Sequence, residues 1–485
     1  YKVFLKNKRK IMEKDAFIKN SILLILSNLI TGILGFMYSI ALSRELGADG
    51  MALNGLIMPI NRISLCLICG GMLTALSKII AEYKVKYQYN NIIKSMRTIL
   101  TLNVIWAIFI IFILFLLINP ISEFIIKDER VIYALRISCG TIFFMTLSNT
   151  FKGYFYGIAN VGIPAVIDVF EKSARIFIIS FIFKFYSPGS ITAKVTAANI
   201  TISSGEFISL VLLFLYYKVN IKKYHNRFSE QPDRTKTLIK NILVISLPLC
   251  LNEFISTIFF TVSTLLIPKR LVAGGIPYEE ALTMIGKFSN MSVNIVSLPM
   301  IIIFAISIVL IPDLSQKLVI KHKEAVKKRI SSVIKISFIL GLSVLIICLI
   351  WGDNLGRVFY NRNDLGNYIR FAALSAPISY TAAATNSILN GLGKQKTILK
   401  NSLIAAVIEI LIIFFLTAVP SINILGCGIE MIVTAIVTLI MNGIEINKFL
   451  NLKFSLTNII IYLQLALLFF YCIKIASNII KLISF

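Results

Sequence analysis

The 485 residues are 57% hydrophobic and 15% charged, with 49 Lys and Arg against 23 Asp and Glu for a formal charge of +26. A chain this long and this apolar is excluded from the water-soluble class, so its charge belongs to the loops of a membrane protein. The seven cysteines, Cys66, Cys69, Cys139, Cys250, Cys348, Cys427 and Cys472, are odd in number, sit inside apolar runs and imply no disulfide framework.

A basic tail over residues 1–16 leads into apolar runs near 17–43, 51–82, 98–118, 131–157, 163–186 and 193–217. Each reaches about the 20 residues that cross the hydrocarbon layer. Lipid offers the backbone no partners, so such runs are helices, and their lack of alternation excludes a barrel. The first run is too long for a secretory signal and has no small-residue cleavage site, so it reads as a span. After a basic linker at 219–238 come runs near 239–267, 282–312, 331–351, 367–391, 398–419 and 424–446. A thirteenth follows near 456–480, within 456–485. The expected fold is an all-α polytopic membrane protein with two parallel six-helix lobes, 17–218 and 239–447, plus at least one extra C-terminal transmembrane helix.

Lys and Arg alternate between loops. One side carries Lys2 to Lys19, Lys84 to Arg97, Lys218 to Lys240, Lys317 to Lys335, Lys394 to Lys400, Lys448 and Lys453. The other has Arg44, Lys127, Arg130, Lys269, Arg270, Arg357 and Arg362, interspersed with acids. The positive-inside rule places the amino terminus and the linker in the cytoplasm, where anionic lipids meet the basic loops. These loops lack interleaved aromatics, which argues against nucleic acid. His225 and His322 lie among the basic residues and read as solvated, and the C-x-x-C of Cys66 and Cys69 lacks the second ligand pair of a zinc site.

The halves repeat by residue as well as by hydropathy. Ile18-Lys19-Asn20 opens the first span and Ile239-Lys240-Asn241 the seventh, while Phe155-Tyr156-Gly157-Ile158-Ala159-Asn160 and Leu389-Asn390-Gly391-Leu392-Gly393-Lys394 end the fourth and tenth. Gly157 and Gly391 read as helix C-caps; chance likeness of apolar helices is the alternative. Six spans being even, the copies enter the membrane in one direction, related by an axis along its normal, with a polar site between them near the midplane.

Five further segments carry a family resemblance. Leu34-Gly35-Phe36-x-Tyr38, Leu42-x-Arg44-x-Leu46-Gly47-Ala48-x-Gly50 and Ala75-x-Ser77-Lys78-x-x-Ala81-Glu82, followed by Lys152-Gly153-Tyr154-Phe155-x-Gly157 with Glu171 and Arg175, then Ile267-Pro268-x-Arg270-Leu271, span most of the chain. Together they resemble the stage V sporulation protein B and polysaccharide-exporter branch of the multidrug/oligosaccharidyl-lipid/polysaccharide flippase superfamily. The resemblance implies a flippase for a polyprenyl-diphosphate-linked saccharide or peptidoglycan precursor in a bacterial cytoplasmic membrane. Thr31-Gly32-Ile33 stands where related flippases often carry an Arg, so a peptidoglycan lipid is not singled out.

Charges within spans are the candidate site residues, since each Arg or Lys at a helix centre costs about 2.5–3.5 kcal/mol on insertion scales. Arg62, beside Asn61, lies on the span the resemblance places at the cavity wall and is the expected contact for a diphosphate or an acidic sugar; snorkelling is the alternative. In the fifth span, Asp168 with Lys172 and Glu171 with Arg175 have i,i+4 spacing and read first as an internally neutralised cluster, with Arg175 kept as a cavity candidate. Lys287 and Asn290 share a polar face in the eighth span, and Arg370 lies near the outer end of the tenth. Glu253, Glu409 and Glu430, on the seventh, eleventh and twelfth spans that adjoin in the resembled fold, are candidates for a coupling Na+ or proton. No other cofactor is expected. A drug/cation antiporter of the MATE type is the main alternative, although no acid stands between Phe17 and Ser43; a membrane glycosyltransferase fits the short outer loops poorly. No Gly-x-x-x-x-Gly-Lys loop points to ATP hydrolysis.

Overall fold

The computed structural model describes residues 2–186, 188–222, 233–319 and 323–450, and among these there are helices and turns but no strands. The thirteenth predicted span, Cys472, both histidines and residues 223–232 of the linker lie outside the described residues. Among the described residues eight helices are long and apolar enough to cross a membrane, or nine when one bent pair is taken as a single span. The chain forms two compact units, Tyr1–Leu265 and Leu266–Phe485.

In the first unit α1 (Lys2–Cys69) carries the first predicted span and most of the second as one helix, bent at Gly47, where φ is 69° and ψ is −174°. That backbone region is essentially restricted to glycine, so Leu46-Gly47-Ala48 is a hinge in place of a loop. The second predicted span is itself broken. α1 ends at Cys69, Gly71 takes φ 68°, and α2 (Met72–Val85) begins. The unit continues with α3 (Tyr89–Pro120), α4 (Ile132–Gly157), α5 (Gly162–Tyr186), α6 (Ile191–Lys222) and the first part of α7 (Thr235–Ala273).

A buried core joins Leu76 and Ile80 of α2, Ile92 and Met96 of α3, Phe151 and Tyr154 of α4, Leu213 of α6, and Leu238 and Ile242 of α7. At its edge Asp233 holds the start of α7: Tyr83 Oη donates to its carboxylate at 2.9 Å, Lys94 Nζ to its carbonyl at 2.7 Å, and its own N–H to Asn91 Oδ1 at 2.7 Å. These contacts hold the start of α7 to the first unit, Tyr1–Leu265.

The second unit holds α8 (Tyr278–Ile285), a π-helical turn at Gly286–Ser292, α9 (Val293–Ser297) and α10 (Met300–Val319), which together cover the predicted eighth span. The rod bends by 52° where Pro299 withholds a backbone donor. α11 (Lys323–Tyr360), α12 (Gly366–Ala373), α13 (Ala376–Gly391), α14 (Gln395–Leu416) and α15 (Leu425–Leu450) complete it.

The matched ends of the fourth and tenth spans have one backbone design, and the sequence reading of it needs a correction. Asn160 N–H donates to Phe155 O and Ala159 N–H to Tyr156 O, as Lys394 N–H does to Leu389 O and Gly393 N–H to Asn390 O. Both are Schellman closures. The left-handed position falls on Ala159, φ 58°, and on Gly393, φ 74°, two residues past Gly157 and Gly391. Gly157 serves packing instead, because a Cβ there would lie 2.6 Å from Ile80 Cβ. A side chain in that conformation costs about 1 kcal/mol relative to glycine. Ala159→Gly should therefore raise the unfolding temperature in detergent, and an unchanged or lower value would contradict the assignment.

Candidate functional site

Arg62 and Asn61 leave α1 in different directions. Asn61, seven residues from Asn54, faces the bundle: its Nδ2 donates to Ser138 Oγ at 3.2 Å, Ser138 Oγ to Asn199 Oδ1 at 3.1 Å, and Asn199 Nδ2 to Asn54 Oδ1 at 3.2 Å. This chain of polar groups ties α1 to α4 and α6, so Asn61 positions the helix. Arg62 shares an exposed face with Met58. Its guanidinium lies 4.6 Å from the centroid of the Phe260 ring on α7, and among the described residues no carboxylate pairs with it. A guanidinium over a ring face keeps the N–H donors that lie in its own plane available to an anion.

Arg175 is placed differently. It is buried between Glu171, one turn earlier on α5, and Glu206 on α6, whose Oε1 is 2.7 Å from Nη2. The predicted Glu171–Arg175 pair forms, but Asp168 reaches Lys152 on α4 at 2.7 Å, leaving Lys172 to Glu171 at 3.0 Å. The three carboxylates Asp168, Glu171 and Glu206 thus balance Lys152, Lys172 and Arg175. A Cβ on Gly205 would stand 2.8 Å from both Arg175 Nε and Glu171 Oε1, so glycine lets α6 close on the pair. Glu206 was missed from sequence; its only signal was a lone acid after Gly205 in an apolar run.

In the second unit Lys287 leaves the π-helical turn to meet Asp364 at 2.8 Å, and Arg362 binds the same carboxylate at 2.8 Å. Arg362 first and Lys287 with it hold the Asp364 carboxyl well below the usual carboxylate range. A lowered carboxyl contributes stability above its unfolded value, near 4, that is lost only as pH falls through the folded one, so this clamp is intact at neutral pH. Asn290 accepts at its carbonyl from Asn294 Nδ2. Arg370 is bound to Asp353 and donates to the Leu349 carbonyl at 3.2 Å, tying α12 to the end of α11. Lys287 and Arg370 are therefore already neutralised at one end of their unit.

Of the acids, Glu253 is exposed on α7 in the first unit, close enough for its charge to act on Cys66 and Cys69. Glu409 and Glu430 lie in the second unit and act on one another, with Thr434 Oγ1 donating to Glu430 Oε1 at 3.0 Å.

The polysaccharide biosynthesis protein family matches residues 17–318, and the MatE family residues 287–415. Stage V sporulation protein B of Bacillus subtilis (strain 168) is 23% identical over 449 residues, 92% of this chain and 86% of that protein. Sporulation protein YkvU of the same organism is 21% identical over 415 residues, 85% of this chain and 91% of its own. Among solved structures, an inward-facing multidrug resistance MATE family transporter of the MOP superfamily superposes with TM-score 0.69 at 14% identity, covering 88% of this chain and 98% of the other. A MOP superfamily transporter from Pyrococcus furiosus Vc1 (DSM3638), described as having a binding pocket of reverse polarity, gives 0.62 at 15% identity, over 91% and 97%. These likenesses show the fold.

Proposed function

Since the chain belongs to the polysaccharide biosynthesis protein family, within the multidrug/oligosaccharidyl-lipid/polysaccharide superfamily of membrane transporters, we propose that it flips a polyprenyl-diphosphate-linked saccharide or peptidoglycan precursor. The membrane is the bacterial cytoplasmic membrane, with the amino terminus inside and anionic lipids at the basic loops, and the mechanism is alternating access. Each unpaired hydroxyl of such a headgroup costs roughly 2–7 kcal/mol to bring into hydrocarbon, so crossing needs a protein surface of matching polarity.

The observation that carries this reading is Arg62, an exposed guanidinium within a membrane-spanning helix that lies over the Phe260 ring. A diphosphate offers the paired oxygens that a guanidinium fork fits. Lys287 and Arg370 would meet the saccharide only by releasing their present partners, and Arg175 stays a structural element. Exposed Glu253 supports a Na+ or proton coupled to the cycle, with the Glu409 and Glu430 pair a second candidate.

Binding of a short-chain polyprenyl-diphosphate saccharide to the detergent-solubilised protein tests the assignment. Inorganic diphosphate should compete, and a polyprenyl alcohol should not; equal competition by the alcohol would sink it. An exposed cation–π contact contributes about 0.5–1 kcal/mol. Phe260→Leu, which keeps apolar bulk but removes the ring face, should weaken the same binding a few-fold; unaltered affinity would show that the ring does not position Arg62.

A further inference from the structure

The break in the second predicted span brings two cysteines from distant parts of the chain together. Cys66 lies one turn before Gly70, and Cys250 faces it from α7 within the same compact unit. Cys66 Sγ donates to the Cys250 carbonyl at 3.7 Å, and Cys250 Sγ to the Cys66 carbonyl at 3.4 Å. Nothing separates the two helices here: a Cβ on Gly70 would stand 2.9 Å from Cys250 Sγ and 3.2 Å from its Cα, and one on Gly71 2.5 Å from Leu249 Cβ. Cys69, the other half of the C-x-x-C, instead bonds to the Leu65 carbonyl at 3.3 Å.

The crossing also has a mechanical setting. Leu238, Ile242 and Ser246 are the buried residues of the first turns of α7, spaced four apart, and Cys250 continues that stripe. Val244, Leu247, Leu249 and Leu251 beside them are exposed. One narrow seam therefore holds the first half of α7 to its unit, and a covalent bond at Cys250 would pin that seam where the span is broken.

We propose that Cys66 and Cys250 form an oxidisable dithiol site that takes a bilayer-soluble two-electron oxidant of the quinone class, and that its disulfide pins α7 to the broken second span. Each thiol gives up its S–H hydrogen, the two sulfurs join, and the quinone takes the two electrons and two protons to become a quinol. Cys66 is 3% exposed, which excludes water-borne oxidants from it and leaves the half-buried Cys250 side as the approach. Closing the bond brings the sulfurs to about 2 Å, and the paired Sγ-to-carbonyl contacts at 3.7 and 3.4 Å put both thiols at the same crossing. The pairing stands apart from the proposed function; only the effect on flipping rests on it.

The test uses the full chain in lipid nanodiscs treated with duroquinone, whose fully substituted ring does not alkylate thiols. After N-ethylmaleimide blocks the remaining thiols, non-reducing digestion and mass spectrometry should find a peptide joining Cys66 to Cys250, two hydrogens lighter than its parts and absent after dithiothreitol. Cys250→Ser, a near-isosteric change, should abolish it. Recovery of both cysteines as maleimide adducts, or a link between Cys66 and Cys69, would overturn the site. In vesicles, linking should abolish flipping and dithiothreitol restore it; full flipping by linked protein would overturn the pinning. Absence of flipping in reduced protein as well would count against the transport reading, while the peptide still judges the site.

Discussion

Arg175→Ala is expected to destabilise the protein by about 3–5 kcal/mol, the usual cost of leaving a buried charge without its partner. Glu171 and Glu206, with side chains 3% and 9% exposed, would keep their carboxylates in an apolar bundle after the guanidinium between them is removed. Lys172 would still reach Glu171 at 3.0 Å, but Glu206 has no second base within ion-pair distance among the described residues. Close approach at Gly205 leaves little room for water to replace the lost donors. Thermal unfolding in detergent checks the effect. Adding Glu206→Gln to Arg175→Ala should recover part of the loss, because it removes one of the stranded charges. A single variant as stable as the parent would show that the cluster is solvated.

Arg62→Ala should behave in the opposite way. Stability should hold or rise, since a charged side chain that costs about 2.5–3.5 kcal/mol to insert is deleted without breaking an ion pair. Flipping should fall about 10- to 100-fold, the equivalent of one hydrogen-bonded contact to a charged group, about 1.5–3 kcal/mol. Arg62→Lys should recover only part of this, because an ammonium supplies charge without the planar fork. A folded Arg62→Ala variant that flips normally would mean that the guanidinium only snorkels.

These two arginines also mark how far the sequence could be read. Apolar runs located the helices because the bilayer sets their length. The breaks within them were hidden, since glycine and proline are tolerated in membrane helices where neighbours satisfy the backbone. At Gly70 and Gly71 the neighbours include Trp106, whose Nε1 donates to the Leu67 carbonyl at 2.9 Å, a contact that hydropathy does not reveal. Arg62 stood out from sequence because it sits well inside an apolar run with no acid one turn away on either side. Arg175 was harder: its i,i+4 partner was visible, but Glu206 comes from the next helix. Lys287 read as a candidate site residue on a polar face because its partner Asp364 lies far along the chain. The repeat was legible in residues, yet its shared feature is the left-handed closure at Ala159 and Gly393, two positions beyond the glycines that first drew notice.

Reconstituting the protein in vesicles with a polyprenyl-diphosphate saccharide labelled on its headgroup, beside vesicles loaded with a cationic dye, tests the transport assignment most directly. The headgroup should become accessible on the opposite face at a rate set by the protein, with little movement of the dye. Unchanged headgroup accessibility together with gradient-driven dye export would contradict the assignment and establish a cation antiporter.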